Sequence, residues 1–276
     1  MYQRGRLTVT QKPKNIGWER RLYAVESATG DIDQTLELAL SEMEGSIAPV
    51  LRMLNDLKSP QKLSVDDTAR LMTFVAIQAL RTPSARERLR MVDLKHISSA
   101  GANPEVVKVI EAHVAKKSWW LNSIGRLSQP LLRALSEKTM SICLNSTTVP
   151  FITSDDPVVL VQNEIYPVGD EQAFFQAHVV FPIGSSAMMC FRLPDVLWPR
   201  DDRKHRTIEI CSADPALVAQ FNAALMQRAS RFIFACEDSE AIRAAFDRTV
   251  ADFSRDSFKP VSLPGLTIAR RFPPVA

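Results

Sequence analysis

The chain has 276 residues, of which 46% are hydrophobic and 24% charged, enough to bury a substantial core without covalent staples. Its 34 basic residues nearly balance 31 acidic ones, leaving a net charge of +3, so bulk charge gives no argument for nucleic acid or membrane as a partner. No apolar run approaches membrane-spanning length, and the N-terminus lacks the apolar core of a signal peptide. The expectation is therefore a soluble cytoplasmic protein with no membrane partner.

Residues 1–30 read as a basic N-terminal arm. Leu7–Thr10 suggests a short strand, Lys12–Asn15 a turn, and Trp18 and Tyr23 anchors to the body. A helical half follows over 31–137. Its first helix, from about Asp33 to Leu57, carries Leu36, Leu40, Met43, Ile47, Val50, Leu54 and Leu57 at steps of three and four, with Asp31 or Asp33 as cap and a kink expected at Pro49. Glu37 and Glu44, seven apart, share one face of it.

Ser64 followed by Asp66 and Asp67 marks the start of a second helix, Val65 to Leu80, that is apolar nearly all round. Gln78 and Arg81, three apart, are its polar exceptions. An arginine on a buried helix needs a carboxylate, and Glu44 or Glu37 is the nearest in sequence. Thr82-Pro83 reads as cap and first residue of a third helix, to about Ile97, with a basic face from Arg86 to Lys95. That face suits solvent. With Trp119 and Trp120 nearby it also offers a nucleic-acid reading. Asn103-Pro104 opens a fourth helix, to about Ala115, and a fifth spans Ser123 to Ser136, disturbed by Pro130.

From 138 to 258 the pattern becomes strand-rich. Thr139–Asn145, Pro150–Thr153, Val158–Gln162, Ala177–Pro182, Ala187–Arg192, Thr207–Ser212 and Arg231–Cys236 are short apolar runs between turn residues. Helices are expected from Asp214-Pro215 to about Ser230 and from Ser239 to about Phe253, and residues 259–276 form a proline-rich C-terminal arm. The fold class is α+β: a helical bundle packed on a mixed, largely antiparallel sheet with two flanking helices, in one integrated domain. Cys143, Cys190, Cys211 and Cys236 lie far apart in sequence within apolar runs and read as buried, reduced thiols.

No nucleotide-binding glycine motif, zinc-protease motif or nucleophile elbow occurs, and the four histidines are isolated. A Ser154–His178–Asp155 triad can be drawn, but chains of this size commonly offer such triples. The polar constellation that stands out is Glu37, Glu44, Gln78, Arg81 and Asp155, where the turn Thr153-Ser154-Asp155-Asp156-Pro157 joins the two halves. Its plain reading is a structural network, or a site for a ligand or partner. Its sharper reading is a phosphodiesterase- or nuclease-like hydrolase. In that case Glu37, Glu44 and Asp155 are catalytic, Glu44, Asp155 and Asp156 hold a divalent metal, and Arg81 with Gln78 holds phosphate.

Five segments in order carry a resemblance: Pro13–Glu19 with Tyr23, Leu36-Glu37 with Glu44 and Ala48-Pro49, Gln78 with Arg81-Thr82-Pro83, Phe151–Val158, and Phe181-Pro182-Ile183. Together they resemble the bacterial domain-of-unknown-function family four-two-three-eight. The resemblance implies a coherent fold and names no activity. It also implies an N-terminal segment with a His-Tyr-Val-Pro-like motif, which does not precede Met1. One expectation is thus a defence or toxin-type module completed by that segment or by a partner chain.

Overall fold

The computed structural model describes residues 2–3, 23, 25–26, 32–161, 173–192, 206–229, 231–237 and 239–249. The expected strand at Leu7–Thr10, the Lys12–Asn15 turn, Trp18 and the proline-rich arm lie outside them. In chain order the elements are β1 (Tyr2–Gln3), β2 (Val25–Glu26), β3 (Ile32–Asp33), α1 (Thr35–Asn55), β4 (Gln61–Leu63), α2 (Val65–Leu80), α3 (Pro83–Ser99), α4 (Pro104–Val114), α5 (Lys117–Ser136), β5 (Thr139–Asn145), β6 (Thr153–Ser154), β7 (Val159–Val161), α6 (Ala173–Gln176), β8 (His178–Pro182), β9 (Ala187–Arg192), β10 (Arg206–Ala213), α7 (Pro215–Arg228), β11 (Phe232–Phe234) and α8 (Glu240–Thr249).

The main sheet has the order β4-β10-β5-β9-β8-β7 and is antiparallel except for β10 beside β5. Its strands alternate apolar side chains between two cores. Met140, Ile142, Leu160, Val179, Phe181, Met189, Phe191, Ile208 and Ile210 face one core, built with Ile47, Val50 and Leu54 of α1, Leu71 and Val75 of α2 and Leu135 of α5. Cys143, Val159, Val161, Val180, Met188, Cys190, Cys211 and Ala213 face the other, with Leu217, Val218, Phe221 and Leu225 of α7 and Ile242 and Phe246 of α8. Burial on both faces explains why these strands read as near-continuous apolar runs and not as an alternation of apolar and polar. The α+β class holds, with the sheet sandwiched between helical layers.

Helix starts follow their caps. Ser64, Thr82, Asn103 and Asp214 each accept a backbone N–H of the first turn, and proline follows the last three. Helix α1 runs through Pro49, and its first turn is served by Asp33, whose Oδ1 accepts the Thr35 N–H at 2.9 Å. The structure differs from expectation at several elements: the strand expected over Pro150–Thr153 is Thr153–Ser154, and a short helix appears at Ala173–Gln176. Helix α5 begins at Lys117, not Ser123, because Trp119, Trp120 and Ile124 form a third apolar cluster with Leu80, Leu89 and Val114. The Gln61–Leu63 stretch, too short to stand out, becomes an edge strand on β10.

The Thr153–Val159 stretch is a transfer point. Strand β6 belongs to a small sheet of order β1-β11-β6, and β7 is an edge strand of the main sheet, so the chain changes sheets within Asp155-Asp156-Pro157.

Candidate functional site: a buried arginine–aspartate junction

Helix α2 ends where two of the resembling segments converge. The Leu80 carbonyl accepts Trp120 Nε1–H at 3.0 Å and the Arg81 carbonyl accepts the Tyr23 hydroxyl at 2.9 Å, so aromatic donors satisfy carbonyls that a helix terminus leaves open. Arg81 Nε donates to Gln78 Oε1 at 3.0 Å, and its Nη1 lies 2.5 Å from Glu44 Oε1. Glu37 Oε1 accepts the Tyr23 N–H at 3.3 Å. Glu37, Glu44, Gln78 and Arg81 therefore do gather.

Asp155 does not join them. Its Oδ2 accepts the Arg231 N–H at 2.8 Å and its own N–H donates to the Phe232 carbonyl at 3.1 Å, so it fixes the start of β11. The side chain that turns toward the helical half is its neighbour Asp156, with 0% of its surface exposed. Period-two alternation explains the difference: consecutive residues beside a strand point to opposite sides.

Asp156 is held on every side. Arg88 of α3 binds it through both terminal nitrogens, Nη1 to Oδ2 and Nη2 to Oδ1, the latter at 3.1 Å. Thr82, the cap of α3, accepts the Ala85 N–H at 3.0 Å while donating its hydroxyl hydrogen to Asp156 Oδ1 at 3.2 Å. Arg228, in the last turn of α7, brings Nε to 3.7 Å from Oδ2. The Asp156 N–H donates to Ser154 Oγ at 3.2 Å. Asn222, earlier on α7, clamps the approach: its Oδ1 accepts the Ile152 N–H at 3.1 Å and its Nδ2 donates to the Pro150 carbonyl at 2.9 Å. One carboxylate thus ties α3, the inter-sheet turn and α7 together. Burial, with Arg88 alongside, pulls the Arg228 guanidinium down to about 10, against the opposing pull of Asp156.

The other candidates fall as follows. No group of three or more His, Cys, Asp or Glu side chains able to hold a metal occurs among the described residues, so Glu44, Asp155 and Asp156 do not form the expected metal cluster. Each has another partner instead: Arg81, the Arg231 amide, and Arg88 with Thr82. Three arginines of the basic face of α3 have partners in the structure. Arg86 lies over the Trp120 ring and donates to the Ala115 carbonyl at 2.7 Å, Arg88 binds Asp156, and Arg90 pairs with Glu87. His178 lies on β8 with Lys138 and Arg192 acting on it, while Ser154 Oγ accepts the Asp156 amide and Asp155 the Arg231 amide. Cys143, Cys190 and Cys211 are buried and share one core, with Cys143 opposite Cys211 in register. Cys236 is exposed, against expectation.

Arg88 and Arg228 are the residues that sequence reasoning missed. Both were marked by position. Leu217, Phe221, Ala224 and Leu225 form the buried stripe of α7, and Arg228 continues it at the next step of three or four. Arg88 likewise falls three residues after buried Ala85 on α3. A cation in an apolar stripe is the signal of a hidden anion.

Arg81 is less demanding than a buried cation. It is the C-cap of α2, its side chain is 18% exposed, and Glu44 is 47% exposed. Glu44→Gln is therefore expected to cost no more than about 1 kcal/mol in urea unfolding. A loss several times larger would show that the pair behaves as a closed one.

A layered α+β protein whose helical layer is locked to its sheet by a buried arginine–aspartate junction is the class these features define. The chain belongs to the family described as protein of unknown function (DUF4238), whose family model matches residues 2–239. That span takes in every residue of the Asp156 junction. Neither a curated protein nor a solved structure matches the chain. No described helix is long and apolar enough to cross a membrane.

Proposed function

We propose that this chain is a binding protein, in which the junction between the helical layer and the sheet recognises a ligand or partner and does not cleave bonds. What supports this reading is the engagement of the acids. A metal-dependent hydrolase needs carboxylate oxygens free to share a cation, with ligands about 2.0–2.6 Å from the ion. Here Glu44 spends its charge on Arg81, Asp155 caps an amide, and Asp156 is enclosed by Arg88, Thr82 and Arg228. The interior at this junction is rich in guanidinium, the side chain suited to holding anionic groups. A cytoplasmic setting suits the free thiols.

The experiment is a paired one. Full-length protein is incubated with single- and double-stranded nucleic acid and Mg2+ or Mn2+, and its melting temperature is followed across a panel of metals and nucleotides. Stabilisation by an anionic ligand with no cleavage is expected. Metal-dependent cleavage that disappears in Glu44→Gln or Asp155→Asn would overturn the reading in favour of a hydrolase.

A further inference from the structure

Helix α4 (Pro104–Val114) buries one side only. Ile110 and Val114 pack into the third apolar cluster with Leu80 and Trp120, and Val107, three residues before Ile110, is half-buried. Val106 and Val109 stay outside that cluster, 48% and 70% exposed. Ala112, three residues after Val109, is exposed as well. A helix face that meets only water gains nothing from valine. Its branched side chain loses rotamer freedom in a helix, and its apolar surface stays hydrated. Alanine, glutamate or lysine would serve such a face better. Helix α4 therefore carries a second apolar stripe, with Val109 at its centre.

The charges around the stripe decide what fits it. Glu105 lies four residues before Val109, His113 four after it and Lys116 seven after it, and all three are exposed. The stripe is thus acidic at its N-terminal end and basic at its C-terminal end, which makes it complementary to itself when turned end for end. Two parallel copies would set Glu105 against Glu105. Two antiparallel copies set Glu105 of each beside His113 and Lys116 of the other, with the helix dipoles opposed. Glu105 holds Lys108 at 3.1 Å, but the two side chains are 78% and 70% exposed, so that pair gives way at little cost.

We infer that the outward face of α4 is a docking surface for a second copy of this chain, forming a two-fold antiparallel helix pair with Val109 facing Val109 on the axis. The size of the surface sets its strength. A helix of 11 residues is about 16 Å long. One face of that length falls among the small interfaces, below about 1,200 Å2, that serve transient association. The pair forms and separates with concentration, with a dissociation constant in the tens to hundreds of micromolar.

Sedimentation equilibrium of the full chain, from low micromolar to about 1 mM, reads the association directly. A concentration-dependent dimer is expected. Val109→Lys sets two like charges across the axis and is expected to weaken it at least about ten-fold. The melting temperature of the dilute variant should not change, because position 109 is 70% exposed. Glu105→Lys and Lys116→Glu are each expected to weaken the dimer about three- to ten-fold, and the two together to restore it. Lys116→Glu brings the net charge of +3 closer to zero, so weakening there reports the local pairing and not general repulsion between copies. A chain that stays monomeric throughout would overturn the proposal and leave the face to a different partner. A dimer that Val109→Lys leaves intact would place the contact elsewhere, and a double variant no tighter than the single ones would reject the antiparallel pair.

Discussion

Asp156→Ala is expected to lower the unfolding free energy by about 3–5 kcal/mol, the range for breaking a buried charge pair from one side. The substitution removes the carboxylate bound by both terminal nitrogens of Arg88 and leaves Arg228, nine-tenths buried, without its only anionic neighbour among the described residues. It also strips Thr82 of an acceptor at the start of α3. The neighbouring Asp155→Ala removes the acceptor of the Arg231 amide at 2.8 Å, and is expected to cost about 1 kcal/mol. Equilibrium urea unfolding of both variants separates the two aspartates. Similar losses would mean that the pair acts as one turn-capping unit and that the junction is not centred on Asp156. Adding Arg228→Met to Asp156→Ala should recover part of the loss, because the cation stranded by the first change is gone. Residues sharing one network couple by roughly 0.5–3 kcal/mol, and strict additivity would place Arg228 outside it.

Why the sequence pointed to the right stretch and to the wrong aspartate is a matter of range. Short-range signals read well. Strand β5 at Thr139–Asn145 and β9 at Ala187–Arg192, helix α2 at Val65–Leu80, and the Thr82-Pro83 start of α3 stand where spacing and caps put them. Each is decided by residues within a few positions of itself. The grouping of Gln78, Arg81 and Glu44 was also legible, because a lone arginine on an apolar helix demands a carboxylate and few were near. What could not be read was which of two adjacent acids crosses the interface. That depends on β6 pairing with β11 some 80 positions away, with Ser154 opposite Ile233, and hence on which side of the turn faces α3. The partners of Asp156 lie 68 to 74 residues away in α3 and its cap, and on α7. No local pattern encodes such a meeting. Only the misfit of Arg88 and Arg228 in buried stripes hinted at it. The metal reading failed to gather its acids for the same reason: three carboxylates close in charge and sequence logic were each claimed by a different long-range partner.

A second large effect is expected in the pH dependence of stability, from the charged corner where β5, β8 and β9 meet. His178 is buried on β8. Burial first, then the charges of Lys138 and Arg192, pull its imidazolium down to about 4. Lys138, buried just before β5 and donating to the Ala177 carbonyl at 2.8 Å, is pulled down by burial to about 8, with Glu137 opposing. Arg192 is in turn paired with Glu209 of β10. Between pH 6.5 and about 4 the unfolded chain holds a proton on His178 that the folded chain does not, so stability falls as the pH drops through that window. Between 10.5 and about 8 the unfolded chain likewise holds a proton on Lys138 that the folded chain has lost, and stability again falls as the pH drops. Each shift corresponds to about 3 kcal/mol at most, at 1.36 kcal/mol per unit. The measurement is the difference in unfolding free energy between the wild-type chain and His178→Gln from pH 4 to 7, which cancels every group the two share. That difference should slope through the acid window and flatten above it. In Lys138→Met one of the charges opposing His178 is gone, so the acid slope should shift to higher pH. A wild-type-minus-His178→Gln difference that stays flat from pH 4 to 7 would mean that His178 takes its proton equally well in the folded chain, and that the corner is open to water.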